Sequence, residues 1–127
     1  MNDNWHGAAL KESKPEPTIL YVSGPMSGYE DSNYPEFNEA TATLRELGFT
    51  VFNPAEVNPE GLQYTGLLAL DLADVLQCEG VAVLEGWWNS VGARMEVNVA
   101  GTLGKPVRSV EEWIHRKLVE ASTTLTD

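Results

Sequence analysis

The chain has 127 residues, with 8 Lys plus Arg against 19 Asp plus Glu, a formal charge of −11 and a pI near 4.4. One domain is the natural count at this length, and a 43% hydrophobic content supplies one packed core, which excludes a wholly disordered chain. The acidic balance argues against a reader of nucleic-acid polymers and against a protein held on an anionic membrane, while a small anionic ligand stays open because backbone amides bind one locally.

Residues 1–17 are polar, end in Lys14-Pro15-Glu16-Pro17 and read as a flexible tail. Thr18–Ser23 is rich in β-branched and aromatic residues, stops at Gly24-Pro25 and predicts a buried strand. After the loop Gly24-Pro25-Met26-Ser27-Gly28 and a polar stretch, Phe37, Ala40, Leu44 and Leu47 mark a helix that begins at Pro35 and closes at Gly48. Phe49–Phe52 is a second strand, ended by Asn53-Pro54. Residues 55–63 read as an excursion with turn signals at Asn58-Pro59 and Glu60-Gly61.

A second helix spans Tyr64–Gln77, with Leu68, Leu72, Val75 and Leu76 as its stripe. Val81–Leu84 is a continuous apolar run, the pattern of a strand buried on both faces. The loop Gly86-Trp87-Trp88-Asn89 leads to a helix from Ser90, whose inner face is predicted at Val91, Met95, Val99 and Leu103. Gly104 caps it, a fourth strand runs from Pro106 to Ser109, and a last helix runs from Val110 to about Ala121, leaving 122–127 as a frayed C-terminus.

Strictly alternating strands and helices predict an α/β fold: one small doubly wound, flavodoxin- or Rossmann-like domain over residues 18–121. Its parallel sheet of four to five strands, in an order like 2-1-3-4, is flanked by helices. The single cysteine, Cys78, rules out an intrachain disulfide and reads as a small buried residue. With no leader-like N-terminus and no apolar run near membrane-spanning length, the expectation is a cytoplasmic protein. No Cys/His cluster has metal-ligand spacing, and His6 and His115 are badly placed for a nucleophile–base pair.

Ligands of such folds bind outside the carboxyl ends of the strands. That draws attention to Ser23–Tyr29, Asn53–Glu56 and Glu85–Glu96. Gly24-Pro25-Met26-Ser27-Gly28 is either an ordinary tight turn or a loop that brings backbone close to a phosphate or sugar. Ser90 is a good N-cap, and Gly92 in the first turn costs helix propensity, for which close ligand approach is one reason. Glu96 stands at the margin of the predicted inner face, a solvated acid or a functional one. Asp71 lies mid-helix between Leu67 and Val75, whereas Asp74 reads as an exposed acid. Tyr21 is a core aromatic or a site residue, and Trp87-Trp88 offers a stacking surface, a lid or an oligomer contact.

Taken together, Tyr21–Gly28, Asp71-Leu72-Ala73, Ser90–Glu96 and Gly104-Lys105-Pro106-Val107 resemble the nucleoside 2-deoxyribosyltransferase-like superfamily. Within it, the chain is most similar to the short DUF4406 proteins, many of them encoded by bacteriophages, and also resembles the 2′-deoxynucleoside 5′-phosphate N-hydrolases. The resemblance implies cleavage of the bond between a nucleobase and a (deoxy)ribose. Glu96 would be the nucleophile, Asp71 would assist departure of the base, and Tyr21 would orient Glu96. Gly24, Pro25, Met26, Ser27 and Gly28, with Ser90 and Gly92, would cradle the sugar or a 5′-phosphate, and Trp88 would face the substrate. No metal or organic cofactor is called for.

Deoxyribosyltransferases carry an extra acid in the loop after the third strand. This chain has Gly86-Trp87-Trp88-Asn89 there, which favours a hydrolase over a base-exchanging transferase. The other readings are a non-catalytic module that binds or sequesters a nucleotide and a structural subunit. The expected partner is a small nucleotide or nucleoside. A homodimer or larger homo-oligomer is also expected, with Trp88 or Trp113 as candidate contacts.

Overall fold

The computed structural model describes residues 15–57 and 64–126. Four parallel strands, β1 (Ile19–Ser23), β2 (Thr50–Phe52), β3 (Gly80–Val83) and β4 (Val107–Ser109), form one sheet in the order β2-β1-β3-β4. Leu20 pairs with Val51 on one side and with Gly80 on the other, and Val81 pairs with Val107. Helices α1 (Tyr34–Glu46), α2 (Tyr64–Gln77), α3 (Val91–Thr102) and α4 (Val110–Thr126) connect and cover the strands. This is the doubly wound α/β arrangement that the alternation predicts, with four strands.

Alternate side chains of β1 enter opposite layers, because successive strand residues point to opposite faces. Leu20 and Val22 pack with Phe37 and Leu44 of α1 and Val110 and Trp113 of α4. Tyr21 packs with Val75, Cys78, Val81 and Ala100 on the side of α2 and α3. Trp113 is 1% exposed, and its ring lies where a Cβ on residue 80 would have to sit, so Gly80 makes room for it. Its Nε1 donates to the Val81 carbonyl at 2.9 Å, and its ring meets Phe49 edge-on at 6.0 Å. Trp113 is therefore core and not an oligomer contact.

Three further expectations are corrected. The inner face of α3 is Ala93, Glu96 and Ala100, while Val91, Met95 and Leu103 are exposed. Small residues let the helix lie close to the sheet, and of the predicted face only Val99 packs against the core, beside Val97. On α2, Val75 is buried but Leu76 points to solvent. Finally, α4 continues as helix to Thr126, past the end predicted near Ala121.

The tail is also partly fixed. Glu16 reaches Arg108 and Arg116, each at 3.2 Å, and so ties residues before β1 to β4 and α4. Residues 1–14 and the turn signals at Asn58-Pro59 and Glu60-Gly61 lie outside the described residues. Lys105 closes the far end of α2 by donating from Nζ to the carbonyls of Val75 and Leu76 at 2.9 and 2.7 Å. A cation there also complements the negative end of the helix dipole. No helix among the described residues is long and apolar enough to cross a membrane.

Candidate active site

The carboxyl ends of β1, β2 and β3 open into a cleft of about 530 Å³. Its floor carries Tyr21 from β1 and Glu96 from α3. One wall is the loop Gly24–Ser27 with Tyr29, Tyr34 and Phe37; the others are Pro54 and Val57, then Leu67, Leu68 and Asp71 of α2, then Asn89 to Ala93.

Glu96 is the centre of the arrangement. It is 5% exposed, yet it belongs to the cleft lining. Both of its oxygens accept a hydrogen bond from β1: the Ser23 hydroxyl donates to Oε1 at 2.6 Å and the Tyr21 hydroxyl to Oε2 at 3.0 Å. Tyr21 and Ser23 are two positions apart and so share a strand face, which aims both hydroxyls at one carboxyl group. Burial pushes the Glu96 carboxyl up to about 7, against the lowering pull of the Ser23 hydrogen bond; the Asp71 charge pushes up and the Tyr21 bond pulls down. Tyr21 in turn is held well above the ordinary phenol range by burial and by the negative charge of Glu96, so it remains a hydrogen-bond donor.

Asp71 lies one wall away. Burial, with a smaller contribution from the Asp74 charge, raises its carboxyl to about 6. Asp74 is itself partly buried and raised by desolvation, so it is not the ordinary exposed acid expected. Two acids pushed toward neutral pH in one cleft form the kind of pair that can divide nucleophile and proton-donor roles.

The loop after β1 reaches the cleft through Gly24, Pro25, Met26 and Ser27, whereas Gly28 is not in the lining. Gly28 instead adopts φ +84°, a turn conformation. Gly24 is small for a packing reason, since a Cβ there would lie 2.8 Å from Cβ of Leu84. Ser90 and Gly92 are lining residues. Ser90 caps α3 by accepting from the Ala93 amide at 3.2 Å, which leaves the first-turn amides of Val91 and Gly92 without intrahelical acceptors beside the cleft.

Trp88 does not line the cleft. A 3-10 turn, Trp87–Asn89, throws it outward to 52% exposure, and Arg94 Nη1 donates to its carbonyl at 2.9 Å. Aromatic surface comes instead from Tyr29, at the end of the Ser23–Tyr29 region, and from Tyr34 and the helix-stripe residue Phe37. Among the described residues of the loop after β2, Pro54 and Val57 reach the cleft; Asn53 is used locally, and Glu56 pairs with Arg45 at 2.7 Å.

The connection from β1 to α1 has an uncommon backbone. Asp31, Ser32 and Asn33 are three consecutive non-glycine residues at φ 52°, 55° and 62°. The left-handed conformation costs an L-residue roughly 1–2 kcal/mol, less for Asn and Asp. Asn33 is buried and donates from Nδ2 to the Pro25 carbonyl at 2.9 Å, which locks the loop across its base.

The described lining contains no Lys, Arg or His. Among the described residues no three His, Cys, Asp or Glu side chains gather in a way that would hold a metal ion. The groups present are acids, hydroxyls and backbone amides, a set suited to acid–base and nucleophilic chemistry on a polar, uncharged centre such as a sugar carbon.

Comparisons with known proteins bear on the family and the fold. A family model described as a domain of unknown function, DUF4406, matches residues 18–109. Among solved structures, a 2-deoxyribosyltransferase from the psychrotolerant bacterium Bacillus psychrosaccharolyticus, a biocatalyst for synthesis of antiviral and antitumoral nucleosides, is similar at 25% identity and a TM-score of 0.58. The similarity covers 70% of this chain and 69% of that one. No curated protein matches the sequence.

Proposed function

The chain belongs to the DUF4406 family within the nucleoside 2-deoxyribosyltransferase-like superfamily, and from that premise we propose that it hydrolyses the N-glycosidic bond of a nucleoside 5′-monophosphate or related nucleotide. The observation that carries the proposal is Glu96: a nearly buried carboxylate, held at both oxygens, with access to a cleft of nucleotide size.

In this reading a Glu96 oxygen attacks the anomeric carbon. The carbon–nitrogen bond breaks, its electron pair leaves with the base, and Asp71 delivers the proton that the base requires. Water then gives a proton to the Asp71 carboxylate left by the first step and attacks the same carbon, the ester C–O bond opens, and Glu96 returns as a carboxylate. This two-step course matches the retaining logic of glycosidases, in which two carboxyl groups serve an oxocarbenium-like transition state. Tyr21 and Ser23 orient Glu96. The Gly24–Ser27 loop and the amides of Val91 and Gly92 receive the sugar or its 5′-phosphate.

The test is a panel of nucleosides and 5′-monophosphates incubated with the protein and assayed for free base. Base release from a monophosphate is expected; an inactive panel would overturn the hydrolase. The experiment also separates the base-exchanging alternative, which the similar solved transferase favours: an added second base would then be consumed into new nucleoside.

The proposal includes a homodimer or larger assembly. Val91, Met95 and Leu103 leave an apolar stripe on α3 that begins at the cleft, where Val91 is also a lining residue. Sedimentation above the 13.9 kDa of one chain is expected, and Leu103→Lys should shift it toward a single chain. A wild-type chain that sediments at 13.9 kDa would contradict the assembly.

A further inference from the structure

We propose that the Tyr29–Tyr34 segment is a preformed aromatic seat for the planar nucleobase, an inference that rests on the nucleotide-hydrolase reading above and names its specificity-determining residues. The segment joins two unusual observations. Its ends, Tyr29 and Tyr34, both line the cleft. Between them run the left-handed residues Asp31, Ser32 and Asn33.

A connection between a strand and a helix does not need such a run. Glycines would adopt it at no steric cost, but they would leave the turn loose in the absence of ligand. Non-glycine residues in that conformation persist only where the surroundings fix them, and strain of this sort concentrates at sites that are organised in advance. Here the fixing contacts are visible. Asn33 bonds Pro25 from a buried position, the Tyr29 amide donates to the Met26 carbonyl at 3.2 Å, and the Ser32 amide to the Tyr29 carbonyl at 3.0 Å.

Tyr29 is placed with equal care. Its hydroxyl lies 2.7 Å from where a Cβ on residue 86 would sit, so Gly86, at φ +85°, lets the ring approach the loop after β3. The ring nevertheless remains 45% exposed. An exposed aromatic ring on a rigid support beside a cleft is suited to stacking, and a base presents a planar π-face whatever its identity. With Phe37 also in the lining, the segment offers the aromatic surface that Trp88 does not.

The experiment compares a ligand that carries the base with one that has a hydroxyl in its place. One is a 2′-deoxynucleoside 5′-monophosphate as substrate, and the other is deoxyribose 5-phosphate as a competitive inhibitor. Tyr29→Leu and Tyr34→Leu should each raise KM for the nucleotide about tenfold, with inhibition by the sugar phosphate unchanged. Ser32→Gly, which relieves backbone strain, should keep or raise Tm and still raise KM severalfold, because the seat is no longer held.

Equal loss of both ligands in the tyrosine variants, or an unchanged KM in Ser32→Gly, would overturn the seat. If the wild-type protein released no base, the hydrolase reading would fail by itself. Calorimetric titration with the same two ligands would then decide the seat, since only the base-containing ligand should weaken in the tyrosine variants. Absence of nucleotide binding to the wild-type protein would overturn it.

Discussion

Glu96→Ala is expected to lower kcat for base release by about 10⁴-fold or more, the scale seen when a covalent nucleophile is removed from a preorganised site. The loss should fall on kcat and not on KM, because the ester forms only after substrate is bound. Glu96→Gln should be nearly as inactive. It keeps the shape of the side chain, and the Tyr21 or Ser23 hydroxyl can turn to accept from the new amide, so folding is preserved. Tyr21→Phe should be milder, at roughly 10-fold, because Ser23 still holds one oxygen at 2.6 Å. Steady-state kinetics on the three variants check the order. A Glu96→Gln protein with near wild-type kcat would remove Glu96 from the chemistry.

The second large effect is on pH. The nucleophile must be ionised while the proton donor is protonated, so with burial raising Glu96 to about 7 and Asp71 to about 6, activity should follow a bell with limbs near those two values and fall at higher pH as Asp71 loses its proton. Stability should fall with pH over the same range. Between the ordinary value of 4.5 and about 7 the folded protein holds a proton on Glu96 that the unfolded chain has released. Stability contributed by the neutral acid is present below 4.5 and is lost as pH rises through about 7. The difference amounts to roughly 3 kcal/mol at most. Asp71, raised to about 6, adds a smaller change of the same sign. Urea unfolding of wild type and Glu96→Gln from pH 4.5 to 8 measures this. The glutamine variant should lose the Glu96 share of the slope, roughly half, and become the more stable protein above pH 7. Parallel curves would show that Glu96 does not carry the linkage.

The sequence made the layers of the fold legible because strand and helix periods alternate without ambiguity, from the apolar run at Val81–Val83 to the stripe at Phe37, Ala40 and Leu44. The inner face of α3 was misjudged for a physical reason. Val91, Met95 and Leu103 dominate any hydrophobic pattern, whereas the face that meets the sheet is made of alanines around an acid. Periodicity weighs side-chain size and polarity, so it places a carboxylate at a margin when the chain has buried it at the centre. Ser23 was within the flagged loop region but given no role; its two-residue spacing from Tyr21 was the available signal. Tyr29 closes the same strand-end region, whereas Tyr34 carries no such signal, because its place on the cleft depends on the left-handed turn before it. Trp88 shows the converse, a conspicuous residue that a short 3-10 turn directs away from the cleft.

The central claim is that Glu96 bonds covalently to the sugar during turnover. The direct measurement is mass spectrometry of the protein after incubation with a 2-fluoro-substituted nucleotide, whose second step is slowed by the electron-withdrawing fluorine. A single glycosyl adduct, mapped to the peptide that carries Glu96 and missing from Glu96→Gln, is the predicted result. Base release by wild type with no adduct on that peptide, or an adduct on another residue, would contradict it.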